Sequence, residues 1–223
     1  MAVNTEAYQS IKKELDAKQV TLVAVSKTKP VEDILALYDL GQRDFGENYV
    51  QELVDKQAQL PKDIRWHFIG HLQRNKVKYI VPFVHMIHGV DSFKLFDEIN
   101  SQASKINREV KCLFQVHISD EETKFGFSGD ELHLTLNTIK KYNQMDKYKN
   151  VEINGLMGMA SFSDDMEKVR GEFRNLKILF DQCTEKFTTL SMGMSGDYKI
   201  AVEEGSTMVR VGSLLFGARN YAK

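Results

Sequence analysis

The sequence predicts a single (β/α)₈ barrel, and three observations carry that expectation. Short apolar, β-branched runs alternate with segments of helical periodicity along the whole chain. Eight such units can be counted, and each helical crossover returns the chain to the same end, so the strands are parallel. No linker, low-complexity stretch or Gly/Pro-rich break divides the 223 residues, which predicts one domain over 1–223, near the lower end of barrel sizes. The count of eight favours a closed barrel over an open doubly wound sheet.

The elements follow in order. "VTLVAV" (20–25) reads as a strand covered on both faces. "PVEDILALYDLG" follows, with Pro30 suited to a helix start and Gly41 to a stop. "RDFGEN" is a short second strand before a helix over 49–60, and "RWHFIG" is a third before the short helix "LQRNKVKYIV". "VHMIHGV" is the fourth strand. Its helix places Phe93, Phe96, Ile99, Ala103 and Ile106 at steps of three and four, on one apolar face.

"VKCLFQVHIS" is the fifth strand, followed by a helix with Leu132, Leu136 and Ile139. "VEINGLMGMA" is the sixth, and its helix carries Met166, Val169, Phe173, Leu176, Phe180 and Cys183 on one face. "TTLSMGM" is the seventh, with a short helix in "DYKIAVEEG"; "TMVRVG" is the eighth, with a last helical turn in "SLLFGAR".

Composition narrows the function classes. A formal net charge of -1 supplies no field that draws in nucleic acid or an anionic membrane. No apolar run approaches the roughly 20 residues of a membrane span, and the polar N-terminus has helical spacing rather than the pattern of a signal or transit peptide. Cys112 and Cys183 read as reduced core residues, which makes the cytoplasm the expected compartment.

Three features at the strand ends carry chemistry. Lys27 directly follows the first apolar strand, on the parity of Val23 and Val25. If that parity faces inward, its amine projects into the catalytic mouth of the barrel, where a lysine can act as a Schiff-base nucleophile. The bland alternative is a lysine marking where the strand meets water.

Ser195 and Gly196 in "GMSGDYK", and Gly212 and Ser213 in "RVGSLLFG", are small-residue turns after the last two strands, where barrels commonly hold a phosphate. Each is also compatible with a plain capped turn. Arg210, flanked by Val209 and Val211, faces opposite to them and therefore into the barrel. A lysine amine, a phosphate cradle and an inward arginine together suggest a phosphorylated aldehyde cofactor.

Other constellations are weaker. His67 and His71, and His85 and His88, have spacings that suit metal ligands on a helix, but they fall on strand ends with no carboxylate at ligand spacing, so no metal site is expected. Arg74, Lys76 and Lys78 read as a solvated helix face. No P-loop or dinucleotide fingerprint is present.

The motifs "VAVSKTKP", "FGENYVQEL", "WHFIGHLQRNK", "GLMGM" and "LSMGMSGDYKIAVEEGSTMVRVGSLLFGAR" resemble those of the YggS/PROSC family of pyridoxal 5′-phosphate (PLP)-binding proteins, over residues 20–219. The resemblance implies a barrel like the N-terminal domain of alanine racemase, with PLP as cofactor. It implies Lys27 as the Schiff-base lysine, Ser195, Gly196, Gly212 and Ser213 as the phosphate cradle, and Arg210 at the pyridine nitrogen. It further implies Asn48 near the ring hydroxyl and His67 lining the pocket. An arginine at the ring nitrogen can only donate, which keeps that nitrogen unprotonated and the ring a poorer electron sink.

Two departures stand out. The stretch before strand one is short, and His117 in "QVHISDEETKFG" stands where the family pattern has a small amide.

The resemblance implies a carrier that buffers PLP and delivers it to PLP-dependent apo-enzymes, and a monomer is expected. No second domain with a partner base is expected, so catalysis is not. The alternatives are a small PLP-dependent racemase or lyase, and a Schiff-base aldolase without PLP.

Overall fold

Eight parallel strands close into a barrel in strict sequence order, β1 to β8, with β8 hydrogen-bonded back to β1. The computed structural model describes residues 3–119, 125–143, 147–183 and 187–217. The strands are β1 Thr21–Val25, β2 Asp44–Glu47, β3 Arg65–Phe68, β4 Met86–Val90, β5 Val110–Val116, β6 Val151–Gly158, β7 Thr189–Met194 and β8 Met208–Val211. The helices are α1 Thr5–Ala17, α2 Val31–Asp39, α3 Val50–Gln59, α4 Val77–Ile80, α5 Phe93–Ser104, α6 Gly129–Asn143, α7 Met166–Gln182, α8 Tyr198–Glu203 and α9 Ser213–Phe216, with a 3₁₀ turn at Arg74–Lys76. Among the described residues, no helix is long and apolar enough to cross a membrane.

Strand alternation sorts the side chains into two cores. Outward residues such as Leu22, Ala24, Phe45, Trp66, Phe68, Leu190 and Val209 pack beneath the helices in one large apolar layer. The inward set is small and rich in methionine: Val23, Met86, Leu113, Met157 and Met208, with Met159 against them. The unbranched thioether fills the irregular space inside so small a barrel. Val23 lies beside Arg210 in the β1–β8 register, so the expected inward parity of Val23, Val25 and Lys27 holds.

Two helix faces differ from the sequence reading. α5 ends at Ser104, leaving Ile106 beyond it and exposed, because the chain turns back at Asn107 in the left-handed region. In α7, Met166 opens the first turn and is exposed, while Cys183 is the C-cap and still packs, partly buried, against the core as expected. Cys112 is buried and both cysteines are thiols; burial pushes the Cys112 thiol far up, so it is inert at ordinary pH. The short first segment forms α1, which buries Tyr8, Ile11 and Leu15. The "DEETK" stretch after strand five and the terminal Ala218 and Arg219 of the last motif lie outside the described residues.

Candidate functional site

At the C-terminal ends of the strands a cleft of about 410 Å³ opens, within the range of roughly 300–1,000 Å³ typical of small-ligand sites. Lys27, Asn48, Ser195, Gly196, Arg210, Gly212 and Ser213 all line it, together with Val25, Lys29, Ile69, Met159, Phe162, Met194 and Gly217. Seven of the eight residues singled out from the sequence are thus brought together. The eighth, His67, is not: it is fully buried inside the barrel and bonded to Asp44 and His88. It shares the inward parity but sits on β3 itself rather than beyond its end, one layer beneath the cleft floor.

Lys27 is half-buried in the turn after β1, and that turn is held from below. Ser26 donates its hydroxyl to Glu47 Oε1 at 2.6 Å, and Thr28 donates its backbone N–H to Glu52 Oε1 at 2.6 Å. The buried Lys56 ammonium joins them, donating to Glu47 Oε1, Glu52 Oε1 and the Ser26 carbonyl at 2.6–2.8 Å. Burial pushes the Glu47 carboxyl up to about 7, against the pull of Lys56. The clamp holds Thr28 at φ 63°, a left-handed conformation uncommon for a β-branched residue. Lys29 completes the anchoring, donating to the Phe216 carbonyl at the end of α9 at 2.7 Å.

Opposite Lys27 stand the two turns. The backbone N–H of Gly212 donates to Ser195 Oγ at 3.1 Å, joining the turn after β7 to the turn after β8. A side chain at Gly196 would meet no protein atom within 4 Å, so the backbone there faces open space. Among the described residues the N–H groups of Ser195 and Gly196 meet no backbone acceptor. Such a pair of exposed donors suits a multiply charged anion.

Arg210 forms the floor and is 4% exposed. Its guanidinium donates to the Ser191 carbonyl (2.9 Å), Ser191 Oγ (2.6 Å) and the Gly158 carbonyl (3.0 Å), all neutral acceptors. Burial pulls it down to about 10, opposed by the charge of Asp197. A buried cation so surrounded favours a ligand that brings negative charge or a strong acceptor. Asn48 Oδ1 is also buried, with no partner among the described residues. Its carbonyl oxygen can accept from a ligand hydroxyl and its amide can donate to a phenolate.

Several contributors were not picked out in the sequence. The Glu52–Lys56 spacing of four residues on one helix was a readable signal. Glu47 was hidden because its parity points away from the barrel interior, and its role depends on α3 covering it. Asp44, His67 and His85 approach one another with candidate ligand atoms within 4.8 Å, so β2 supplies the carboxylate that the histidine spacing lacked. Yet both Asp44 oxygens already face the Arg65 guanidinium, and one also accepts from His67. The Arg65 guanidinium thus already neutralises the carboxylate of this cluster.

Comparison with known proteins agrees with this geometry. Residues 5–220 match the family model "Alanine racemase, N-terminal domain". The chain is 41% identical, over its full length and 86% of the relative's, to the human pyridoxal phosphate homeostasis protein. It is 40% identical to the protein of that name from Aquifex aeolicus, over 90% of this chain and 87% of the relative. PipY of Synechococcus elongatus, solved with PLP bound, superposes with a TM-score of 0.84 at 35% identity, covering 95% of this chain and 99% of PipY. An alanine racemase of Clostridium difficile, at 12% identity and TM-score 0.74, shares the fold.

Proposed function

Since this chain belongs to the pyridoxal phosphate homeostasis protein family and itself matches the alanine racemase N-terminal domain, we propose that its barrel is a single PLP-binding domain that holds the cofactor through Lys27. The observation that carries the reading is the convergence of Lys27, Arg210 and both small-residue turns on one cleft. When bound there, PLP would supply an aldehyde with which the Lys27 amine could condense. Ser195, Gly196, Gly212 and Ser213 receive the phosphate, Arg210 donates to the ring nitrogen, and Asn48 meets the ring hydroxyl.

The role this supports is intracellular, in the cytoplasm: buffering PLP or passing it to apo-enzymes as a monomer, without robust turnover. Arg210 limits the ring as an electron sink, and the cleft is open to water at Phe162 and Met194, both exposed. A racemase or lyase would be revealed by exchange of a substrate α-hydrogen in deuterated water.

The deciding experiment is the visible spectrum of the protein with PLP, before and after borohydride, followed by mass mapping. A yellow protein with a reduced adduct on Lys27 supports the reading. A colourless protein, or adducts scattered over surface lysines, removes it.

A further inference from the structure

Below the cleft, the barrel interior contains a continuous line of polar side chains that the binding site does not itself require. Arg210 Nη1 lies 2.6 Å from Ser191 Oγ, and Ser191 Oγ lies 3.2 Å from His88 Nδ1. His88 Nε2 is 2.9 Å from His67 Nδ1, and His67 Nε2 is 2.9 Å from Asp44 Oδ1. Five strands, β8, β7, β4, β3 and β2, each contribute one residue. Ser191, His88 and His67 are fully buried. At the far end, Arg65 closes the line from the opposite rim through Asp44.

The two ends fix the direction of the outermost bonds, Arg210 to Ser191 and His67 to Asp44. A guanidinium can only donate, and an ionised carboxylate can only accept. Burial pushes Asp44 up, but the hydrogen bonds from Arg65 and His67 outweigh it and hold the carboxyl far below its usual range. Burial, reinforced by the charge of Arg210, keeps His88 well below its ordinary value, so its ring is neutral with one N–H. Ser191 Oγ accepts from Arg210, and the arrangement in which every link donates away from the cleft has the Ser191 hydrogen directed at His88 Nδ1. In that arrangement the His88 proton sits on Nε2, donated to His67 Nδ1, and the His67 Nε2 proton is donated to Asp44. Every buried group is then satisfied by donors that all point away from the cleft.

We propose that Asp44, His67, His88 and Ser191 form an axial positioning chain that fixes the Arg210 guanidinium beneath the ligand and carries the influence of the Asp44 charge to it. These are positioning residues, since none of them lines the cleft. Aligned hydrogen bonds polarise one another, so the carboxylate at the lower rim strengthens Ser191 as an acceptor for Arg210. An apolar barrel centre would leave the guanidinium with backbone carbonyls only and a freer choice of rotamer. The assignment of Arg210 to the cofactor ring rests on the function proposed above; the direction of the chain does not.

The test has two readouts. Two-bond ¹H–¹⁵N correlation spectra of the histidine rings in the apo-protein should show both His67 and His88 with the proton on Nε2. A proton on Nδ1 of His88 overturns the chain, whether or not PLP binds. In the PLP-loaded protein, Ser191→Ala and Asp44→Asn should each weaken PLP binding about 3- to 10-fold and move the pH midpoint of the cofactor absorbance by about half a unit or more. Ser191→Thr, which keeps the hydroxyl, should restore both. Variants that lower only the melting temperature, with wild-type spectrum and affinity, overturn the proposal and reduce the chain to barrel packing. A wild-type protein that shows the expected tautomers but no cofactor spectrum would instead count against the cofactor reading alone.

Discussion

Ser195 Oγ accepts the backbone N–H of Gly212 at 3.1 Å, so the turns after β7 and β8 act as one hydrogen-bonded unit. Ser195→Ala removes that acceptor and one candidate donor to the phosphate. A lost hydrogen bond to a charged group is worth about 1.5–3 kcal/mol, so PLP affinity should fall roughly 10- to 100-fold. Titration of the cofactor absorbance measures it, with the adduct still on Lys27.

The clamp beneath Lys27 makes a different prediction. Lys56→Met strands the buried Glu47 carboxylate and should destabilise the fold by about 3–5 kcal/mol. Pairing it with Glu47→Gln should recover part of that loss, because no uncompensated charge then remains buried. Urea unfolding of the two single variants and the double variant measures the coupling.

Gly193 explains how β7 turns into the Ser195–Gly196 turn. Its φ is +95°, and a Cβ there would approach Ala201 Cβ to 2.5 Å and Tyr198 Cα to 3.0 Å. The strand register also shifts between Ser191 and Met194, so the backbone bends at this glycine. Gly193→Ala should cost about 2–4 kcal/mol of stability and weaken PLP binding as α8 is pushed away. Thermal melts and cofactor titration on the same preparation check both effects.

Acid should destabilise the barrel through its histidines. Burial lowers His85 to about 4 and His88 well below its ordinary value. Between about pH 4 and 6.5 the unfolded chain therefore binds more protons at these sites, so their contribution rises with pH across that window and is lost as pH falls. Glu47 acts oppositely: its folded value near 7 exceeds the unfolded one, so its share of stability declines as pH rises from about 4.5 to 7. His85→Gln should flatten the fall in urea midpoint between pH 7 and pH 5.

What the sequence revealed about this molecule was its periodic part. Strand alternation placed Val23, Lys27 and Arg210 on the inner face, and the glycine–serine turns announced themselves by composition and by position after the last strands. What it concealed depends on closure. Asp44 and His88 lie on strands two apart in the barrel, and Ser191 reaches His88 only because the sheet curls until β7 faces β4. His67 followed the correct parity, yet depth along the strand, which alternation does not encode, put it under the cleft rather than in it. Ile106 and Met166 fell off their helix faces for a related reason: periodicity extends a pattern past the point where capping residues stop the helix.

The cleft straddles the line where the barrel closes on itself. Lys27 follows the first strand, while Ser195, Arg210, Gly212 and Ser213 belong to the last two units, and β1 meets β8 only once the chain is complete. A chain emerging from the ribosome presents its lysine early and its two glycine–serine turns last. A ligand that bridges the two stabilises only the closed form, by mass action. Closure of β8 on β1 is therefore what joins the two halves of the cleft, and a ligand that spans them can be held only by the closed barrel.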